Sequence, residues 1–180
     1  MSYAELATTT NFTFLHGASH PEEMVTRAAE LGLQAIAITD RNSLAGVVRA
    51  YAALKELKRA TEDTIRIRSE TQLDHSSRQE VGDPQHIPRP ETLHLPKLIV
   101  GARLMLRESA CDWIALPKDR PAYSRLTRLL TLGKRRAEKG QCHLDLPDLL
   151  EGCTGMILIA LPNGPLRKAA ADIQKMQRRY

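Results

Sequence analysis

Aromatic residues are scarce in this chain, at 4% of its 180 residues, while hydrophobic residues as a whole reach 42%. Aliphatic side chains must therefore fill most of the interior. Long apolar runs are also missing, and none approaches the roughly 18 residues of a membrane-spanning helix. The N-terminus has an early acidic residue, Glu5, and lacks the apolar stretch of a signal peptide. We therefore expect neither secretion nor a membrane partner.

Cysteine is equally sparse. Cys111, Cys142 and Cys153 form an odd-numbered set, and no two of them have C-x-x-C spacing. This pattern argues against a disulfide framework and against a zinc ribbon. Reduced thiols are the simplest interpretation, and they predict a cytoplasmic location.

Acidic residues are the minority among the charged ones. The chain has 26 Lys and Arg against 21 Asp and Glu, which gives a net charge of +5. This balance is compatible with a polyanionic partner, although a generically basic soluble protein has it too. The length suits one domain with a real hydrophobic core.

The first third of the chain alternates between two kinds of pattern. Short apolar runs are typical of buried strands, and longer amphipathic segments are typical of helices. Ser19 with Glu22 makes a capping-box pattern at the start of one such helix. The alternation predicts βα units of an α/β fold. The predicted elements are a strand over 3–7, a helix ending near Gly32, a strand over 35–39 and a helix over 43–59.

The pattern breaks over residues 60–94, which hold several Pro, Ser, Asp and Gly residues without a sustained period. We predict a long irregular insertion there. It would divide the domain into a first part, 1–59, and a second part, 95–180. The elements predicted for the second part are strands over 98–101, 113–116 and 156–161, a helix over 121–138 and a basic amphipathic helix over 165–179.

Several short motifs together carry a specific resemblance. They are Asn-Phe-Thr-Phe-Leu at 11–15, Gly-Ala-Ser-His-Pro-Glu-Glu at 17–23, Ala-Ile-Thr-Asp at 37–40, Ser-Leu-Ala-Gly-Val-Val-Arg-Ala at 43–50 and Arg-Arg-Ala-Glu-Lys-Gly at 135–140. They closely resemble the N-terminal polymerase and histidinol phosphatase (PHP) domain of bacterial error-prone C-family DNA polymerases. These enzymes are relatives of the polymerase III alpha subunit and are associated with damage-tolerant repair synthesis.

The resemblance implies a partial, distorted β/α barrel of the PHP type, with ligands at the C-terminal ends of its strands. It also implies that the polymerase domains of the family, which use Mg²⁺ for nucleotidyl transfer, have no sequence in this chain. The later strands of the barrel would be missing as well. A truncated module is therefore expected, with DNA as a partner only through the parent polymerase.

The resemblance also implies a depleted metal site. Its first His pair aligns with Ala7 and Thr9, a later His with Arg41 and a Glu with Arg103. His16 and Asp112 are the two remnants that could still bind metal. We expect Zn²⁺ or Mn²⁺ only if this site survives, and otherwise no cofactor.

Asp40 follows the second predicted strand and has two interpretations. It could orient a metal ligand, or its carboxylate could cap the next helix through the amide of Asn42 or Ser43. The replacement of the usual neighbouring His by Arg41 favours the cap.

Basic residues cluster at the end of the helix predicted over 121–138. Lys134, Arg135, Arg136 and Lys139 could contact nucleic-acid phosphates. No aromatic residues interleave with them, and a solvated helix end with cations near its C-terminal dipole is the simpler interpretation.

Three functions are open from the sequence. The leading hypothesis is a non-catalytic PHP module that stabilises a polymerase core and positions DNA and other translesion or replication subunits. The enzyme alternative is a metal-dependent PHP phosphoesterase or exonuclease. The third is a standalone basic nucleic-acid-binding module.

Overall fold

Strands and helices alternate through the first half of the chain in the computed structural model, which describes residues 3–75 and 94–179. The described ranges hold six strands and five helices. In chain order these are β1 (Ala4–Thr8), α1 (Pro21–Glu30), β2 (Ala35–Ile38), α2 (Ala45–His75), β3 (Lys97–Val100), β4 (Ala102–Leu104), β5 (Cys111–Pro117), α3 (Arg120–Arg135), α4 (Leu146–Gly152), β6 (Met156–Pro162) and α5 (Leu166–Gln177).

The first sheet is parallel and has the order β1-β2-β3. Its central strand, β2, consists of four apolar residues that are all buried. A strand with neighbours on both sides and cover on both faces favours such an unbroken apolar run. The parallel strand predicted over 35–39 is confirmed.

The second sheet is antiparallel and has the order β4-β5-β6. Gly101 joins the two sheets, because it lies between β3 and β4. A Cβ atom at Gly101 would lie 2.5 Å from Leu116 Cδ2 and 2.9 Å from Thr39 Cγ2. Any side chain there would collide with these atoms, so the close packing of the two sheets at this point requires glycine. The strands do not close into a barrel within the described residues. The predicted α/β class and partial barrel are confirmed.

Three apolar clusters stabilise this arrangement. The largest packs the second sheet against α3, α4 and α5, and includes the chain's single tryptophan, Trp113. A second packs α1 and α2 on the first sheet. A third lies between the sheets, around Ala37, Ile114 and Leu116. The two sheets therefore share an interior, and their strand ends meet at a common edge.

Helix α2 is longer than predicted, and this corrects part of the irregular insertion placed at 60–94. Residues 60–75 continue the helix. No Gly or Pro interrupts 47–75, Lys58 and Glu62 pair at 3.9 Å, and the Thr61 hydroxyl donates to the Leu57 carbonyl at 2.8 Å. The rest of the predicted insertion, 76–93, lies outside the described residues. The division into parts at 59 and 95 stays a prediction.

Two local predictions also need correction. Helix α1 begins one residue later than the Ser19–Glu22 pattern indicated: His20 is the N-cap, and its N–H donates to Glu23 Oε2 at 2.9 Å. The short strand β4 was not predicted, because three residues carry too little pattern. No helix in the described ranges is long and apolar enough to cross a membrane.

Candidate functional site at the strand ends

The candidate site lies where β1, β2 and β4 end and β5 begins. Two backbone hydrogen bonds join the sheets there, from Asn42 N–H to the Arg103 carbonyl at 2.9 Å and from Arg103 N–H to the Asp40 carbonyl at 3.0 Å. Arg41 and Arg103 thus occupy paired positions on neighbouring segments. The segment that follows β1, residues 9–20, covers this edge and is called the β1–α1 loop below.

Asp40 holds the β1–α1 loop in place. It is fully buried, and its Oδ1 accepts from Thr10 N–H at 2.8 Å and from the Thr13 hydroxyl at 2.7 Å. Its Oδ2 accepts from the Thr10 hydroxyl at 2.8 Å. Both oxygens therefore point back to the loop. The prediction that Asp40 caps the next helix is wrong, because its partners are Thr10 and Thr13; the Ala45 N–H at the start of α2 donates to Ser43 Oγ at 3.1 Å.

Gly46, in the first turn of α2, makes room for this carboxylate. A Cβ atom there would lie 2.6 Å from Asp40 Oδ2 and 3.0 Å from Thr10 Oγ1. The start of α2 and the β1–α1 loop therefore pack on the same buried carboxylate, and only a glycine permits the approach.

Asp112, one of the two predicted metal ligands, is bound by an arginine. Its side chain is 3% exposed, and its Oδ2 accepts from Arg103 Nη2 at 2.6 Å and from Nε at 2.8 Å. Its Oδ1 accepts from Asn163 Nδ2 at 2.6 Å. Both oxygens of this carboxylate are thus occupied by nitrogen donors of the chain itself.

His16, the other predicted ligand, is also paired with an arginine. Its Nε2 lies 2.6 Å from Arg41 Nη1. Since a guanidinium can only donate, the ring nitrogen in this contact is the acceptor, and its lone pair points at the cation. His16 is exposed, in contrast to Asp112.

Ala7 and Thr9, which the resemblance aligned with the first His pair, bring at most one hydroxyl oxygen. Ala7 is exposed on β1, and its N–H donates to Glu5 Oε1 at 2.8 Å. Thr9 is half-buried just after β1. Across residues 3–75 and 94–179, no three His, Cys, Asp or Glu side chains form a group that could hold a metal ion. A donor set of one buried carboxylate and one exposed imidazole, each facing an arginine, does not fit a multinuclear cluster.

The predicted basic run lies elsewhere, at the end of α3. Lys134, Arg135, Arg136 and Lys139 are all exposed. Arg136 donates to Asp148 Oδ2 at 2.7 Å, so one of the four cations is already paired. Helix α3 itself carries five basic residues and no acidic one. Lys134 and Arg135 thus end the helix, whereas Arg136 caps it and Lys139 lies just beyond it.

Sequence reasoning missed three residues of the strand-end site. Thr10 and Thr13 bind Asp40, and Asn163 binds Asp112. Thr10 and Thr13 lie in a loop that stands beside the end of β2 only in the folded chain. Asn163 is separated from Asp112 by 51 positions, and its contact depends on the antiparallel register of β5 and β6.

Comparisons with known proteins place this geometry in context. Residues 5–177 match the PHP domain family. An error-prone DNA polymerase of Ruegeria pomeroyi is 73% identical over 180 residues, which is 100% of this chain and 16% of that polymerase. An error-prone DNA polymerase of Rhodopseudomonas palustris is 42% identical over 96% of this chain and 12% of its own length. The chain thus spans less than a fifth of these relatives.

A solved structure supports the fold alone. It is the crystal structure of a protein described as a metal-dependent phosphoesterase, from Bifidobacterium adolescentis. The TM-score is 0.61 at 11% identity, over 99% of this chain and 74% of that one. At such low identity, the likeness shows only that the two backbones share a fold. The chemistry at the strand ends depends on this chain's own residues.

Proposed function

The chain belongs to the PHP domain family, and on that premise we propose that it is a non-catalytic module of an error-prone DNA polymerase. The observation that carries the proposal is the bond between Arg103 and Asp112. A guanidinium lies on the buried carboxylate that a divalent ion would need. The module would serve the polymerase through its surface and its stability, without hydrolysing a phosphate ester.

The electrostatics favour this interpretation. A buried carboxylate without a counter-charge is costly, and a metal ion supplies that charge in a working site. Here Arg103 supplies it permanently, and a second cation, Arg41, stands on the neighbouring segment. A divalent ion entering this edge would meet two fixed positive charges. We infer that the metal site is degenerate and that Arg103 now neutralises the buried Asp112 carboxylate, as a metal ion would.

The relatives support a role for the module inside a polymerase. In a full-length polymerase it would stabilise the catalytic core and help to position DNA and other translesion or replication subunits in the cytoplasm. The Mg²⁺-dependent, DNA-directed nucleotidyl transfer would belong to the remaining domains. The enzyme alternative, a Zn²⁺- or Mn²⁺-dependent phosphoesterase or exonuclease, would require His16 and Asp112 to release their arginines.

A hydrolysis assay tests the proposal. The purified chain would be given a chromogenic phosphate ester and a single-stranded oligonucleotide, each with Mn²⁺ or Zn²⁺. We expect the chain to hydrolyse neither substrate faster than an Asp112→Asn variant does. Metal-dependent release of phosphate or nucleotides that disappears in a His16→Ala variant would contradict a non-catalytic module and favour the phosphoesterase.

Helix α3 favours a second candidate, a basic nucleic-acid-binding surface. Lys134 and Arg135 are exposed on this acid-free helix, with Lys139 exposed just beyond it, and such cations can contact phosphates. We expect a Lys134→Ala/Arg135→Ala variant to bind a duplex oligonucleotide more weakly and with a salt slope lower by about 2. Arg27→Ala is the matched control, because Arg27 lies on α1 and is exposed beside Glu30. Equal binding by all three proteins would rule this surface out.

A further inference from the structure

The tip of the β1–α1 loop presents two apolar side chains to solvent. Phe14 is 82% exposed and Leu15 is 85% exposed. They are adjacent in sequence and stand at the strand-end edge, next to His16. Single exposed apolar residues are common on protein surfaces, whereas two adjacent large ones form a small apolar patch that a protein contact could cover.

Hydrogen bonds on both sides of the pair, called the Phe14–Leu15 tip here, constrain the loop that carries it. Thr13, immediately before it, donates its hydroxyl to buried Asp40, and the Thr13 carbonyl accepts from the N–H groups of His16 and Gly17 at 3.0 Å. Leu15 has a φ of 65°, a conformation that costs a leucine free energy unless its surroundings impose it. A contact made by such a fixed loop loses little conformational entropy on binding.

One basic side chain, Arg41, stands at the base of the tip. Arg41 contacts His16 and has no carboxylate within ion-pair distance in the described part of the chain. Arg49 lies over the Phe12 ring, 5.6 Å from its centroid, and its charge is paired with Glu22 at 3.7 Å. An apolar tip beside one arginine is complementary to an apolar pocket with an acidic residue at its rim.

We propose that the Phe14–Leu15 tip docks into an apolar, acid-rimmed pocket on the remaining part of the polymerase chain. This rests on the proposed function and names the surface through which the module would act. We favour the rest of the polymerase as the partner, because this chain matches only 16% of the Ruegeria pomeroyi enzyme and most of that enzyme lies outside the matched region. A single-stranded nucleic acid fits less well, because Leu15 has no π-face on which a base could stack.

Cysteine labelling tests the docking directly. This chain would replace the matching region of the Ruegeria pomeroyi polymerase, and a chimera that extends primers would be used. Phe14→Cys would be introduced into the isolated chain and into the chimera. The rate of maleimide labelling at position 14 would be followed by peptide mass spectrometry. Leu31→Cys is the matched control, because Leu31 is 57% exposed but lies at the opposite end of α1.

We expect labelling of Cys at position 14 to be about tenfold slower in the chimera than in the isolated chain, and labelling at position 31 to change little. Equal rates at position 14 in both proteins would overturn the docking while leaving the non-catalytic role intact. Metal-dependent hydrolysis by the isolated chain would instead remove the proposed function, whatever the labelling shows.

Oligonucleotide binding tests whether the tip instead contacts single-stranded nucleic acid. We expect Phe14→Ala in the isolated chain to leave the affinity for a single-stranded thymidine oligonucleotide unchanged. A loss of about tenfold or more would assign the tip to nucleic acid and would overturn docking on the polymerase.

Discussion

Arg103 donates twice to a single oxygen of Asp112, with Nη2 and Nε at 2.6 and 2.8 Å from Oδ2. The other oxygen receives the Asn163 amide. The carboxylate is buried, while the arginine side chain is 29% exposed. The partly exposed guanidinium of Arg103 therefore lies against a buried carboxylate that we propose to be a remnant of a metal site.

Removing the arginine should be costly. Arg103→Met leaves the Asp112 carboxylate buried with only the Asn163 amide as a partner. We expect the free energy of unfolding to fall by about 3 kcal/mol, as measured by urea denaturation. The double variant Arg103→Met/Asp112→Leu should recover much of this loss, because it removes the stranded charge as well. Equal stability of Arg103→Met and the original chain would show that the pair contributes nothing.

The hydrogen bonds by which Asp40 holds the β1–α1 loop should also contribute strongly to stability. Asp40→Ala leaves the Thr10 amide and both threonine hydroxyls without their acceptor, and we expect a loss of about 2 kcal/mol or more in unfolding free energy. Hydrogen exchange should show the loss first at the amides of the β1–α1 loop. Asp63→Ala is the control, since Asp63 is exposed on α2. Unchanged hydrogen-exchange protection of the Thr10 amide in the Asp40→Ala variant would show that Asp40 does not hold the loop.

Two glycines should respond oppositely to the same substitution. Gly46→Ala forces a methyl group to 2.6 Å from Asp40 Oδ2, and we expect it to destabilise the chain by about 2 kcal/mol. Gly152→Ala meets nothing closer than 3.7 Å and should be neutral or slightly stabilising. Thermal unfolding of both variants checks the difference. A Gly46→Ala variant as stable as Gly152→Ala would mean that α2 can move away from Asp40 at little cost.

The native thiols should react slowly. Burial raises the pKa of the Cys111 thiol, with further contributions from the charges of Asp172 and Asp112. Burial likewise raises the pKa of the Cys142 and Cys153 thiols. A raised pKa leaves less thiolate at neutral pH, so alkylation should be slow at pH 7 and should accelerate as the pH rises. Alkylation at pH 7 as fast as in guanidinium-unfolded chain would contradict this burial.

Most of the elements could be predicted because their patterns are local. The apolar run of β2, the helix before Gly32 and the leucines of α3 each reveal their element within a few residues, and Gly32 takes the positive φ of 65° expected after a helix end. The end of α2 was misplaced because polar residues after position 59 resemble a loop as much as an exposed helix. Propensity alone does not separate these two cases.

The strand-end site was predictable only in part. The resemblance placed Arg41, Arg103, His16 and Asp112 at one edge, and the structure pairs each arginine with one of the two candidate ligands. The partners of Asp40 could not be read from the sequence, because a helix cap needs only the next three residues, whereas Thr10 is 30 positions away. Long-range contacts of this kind depend on the packing of the β1–α1 loop, which no local pattern encodes.

Metal stoichiometry tests the central claim most directly. The purified chain would be incubated with Mn²⁺ or Zn²⁺, dialysed and examined by elemental analysis, with an Asp112→Asn variant as control. We predict no stoichiometric metal in either protein, because Arg103 already occupies the carboxylate. Two or more ions per chain, lost in the Asp112→Asn variant, would contradict a degenerate site and return His16 and Asp112 to the role of metal ligands.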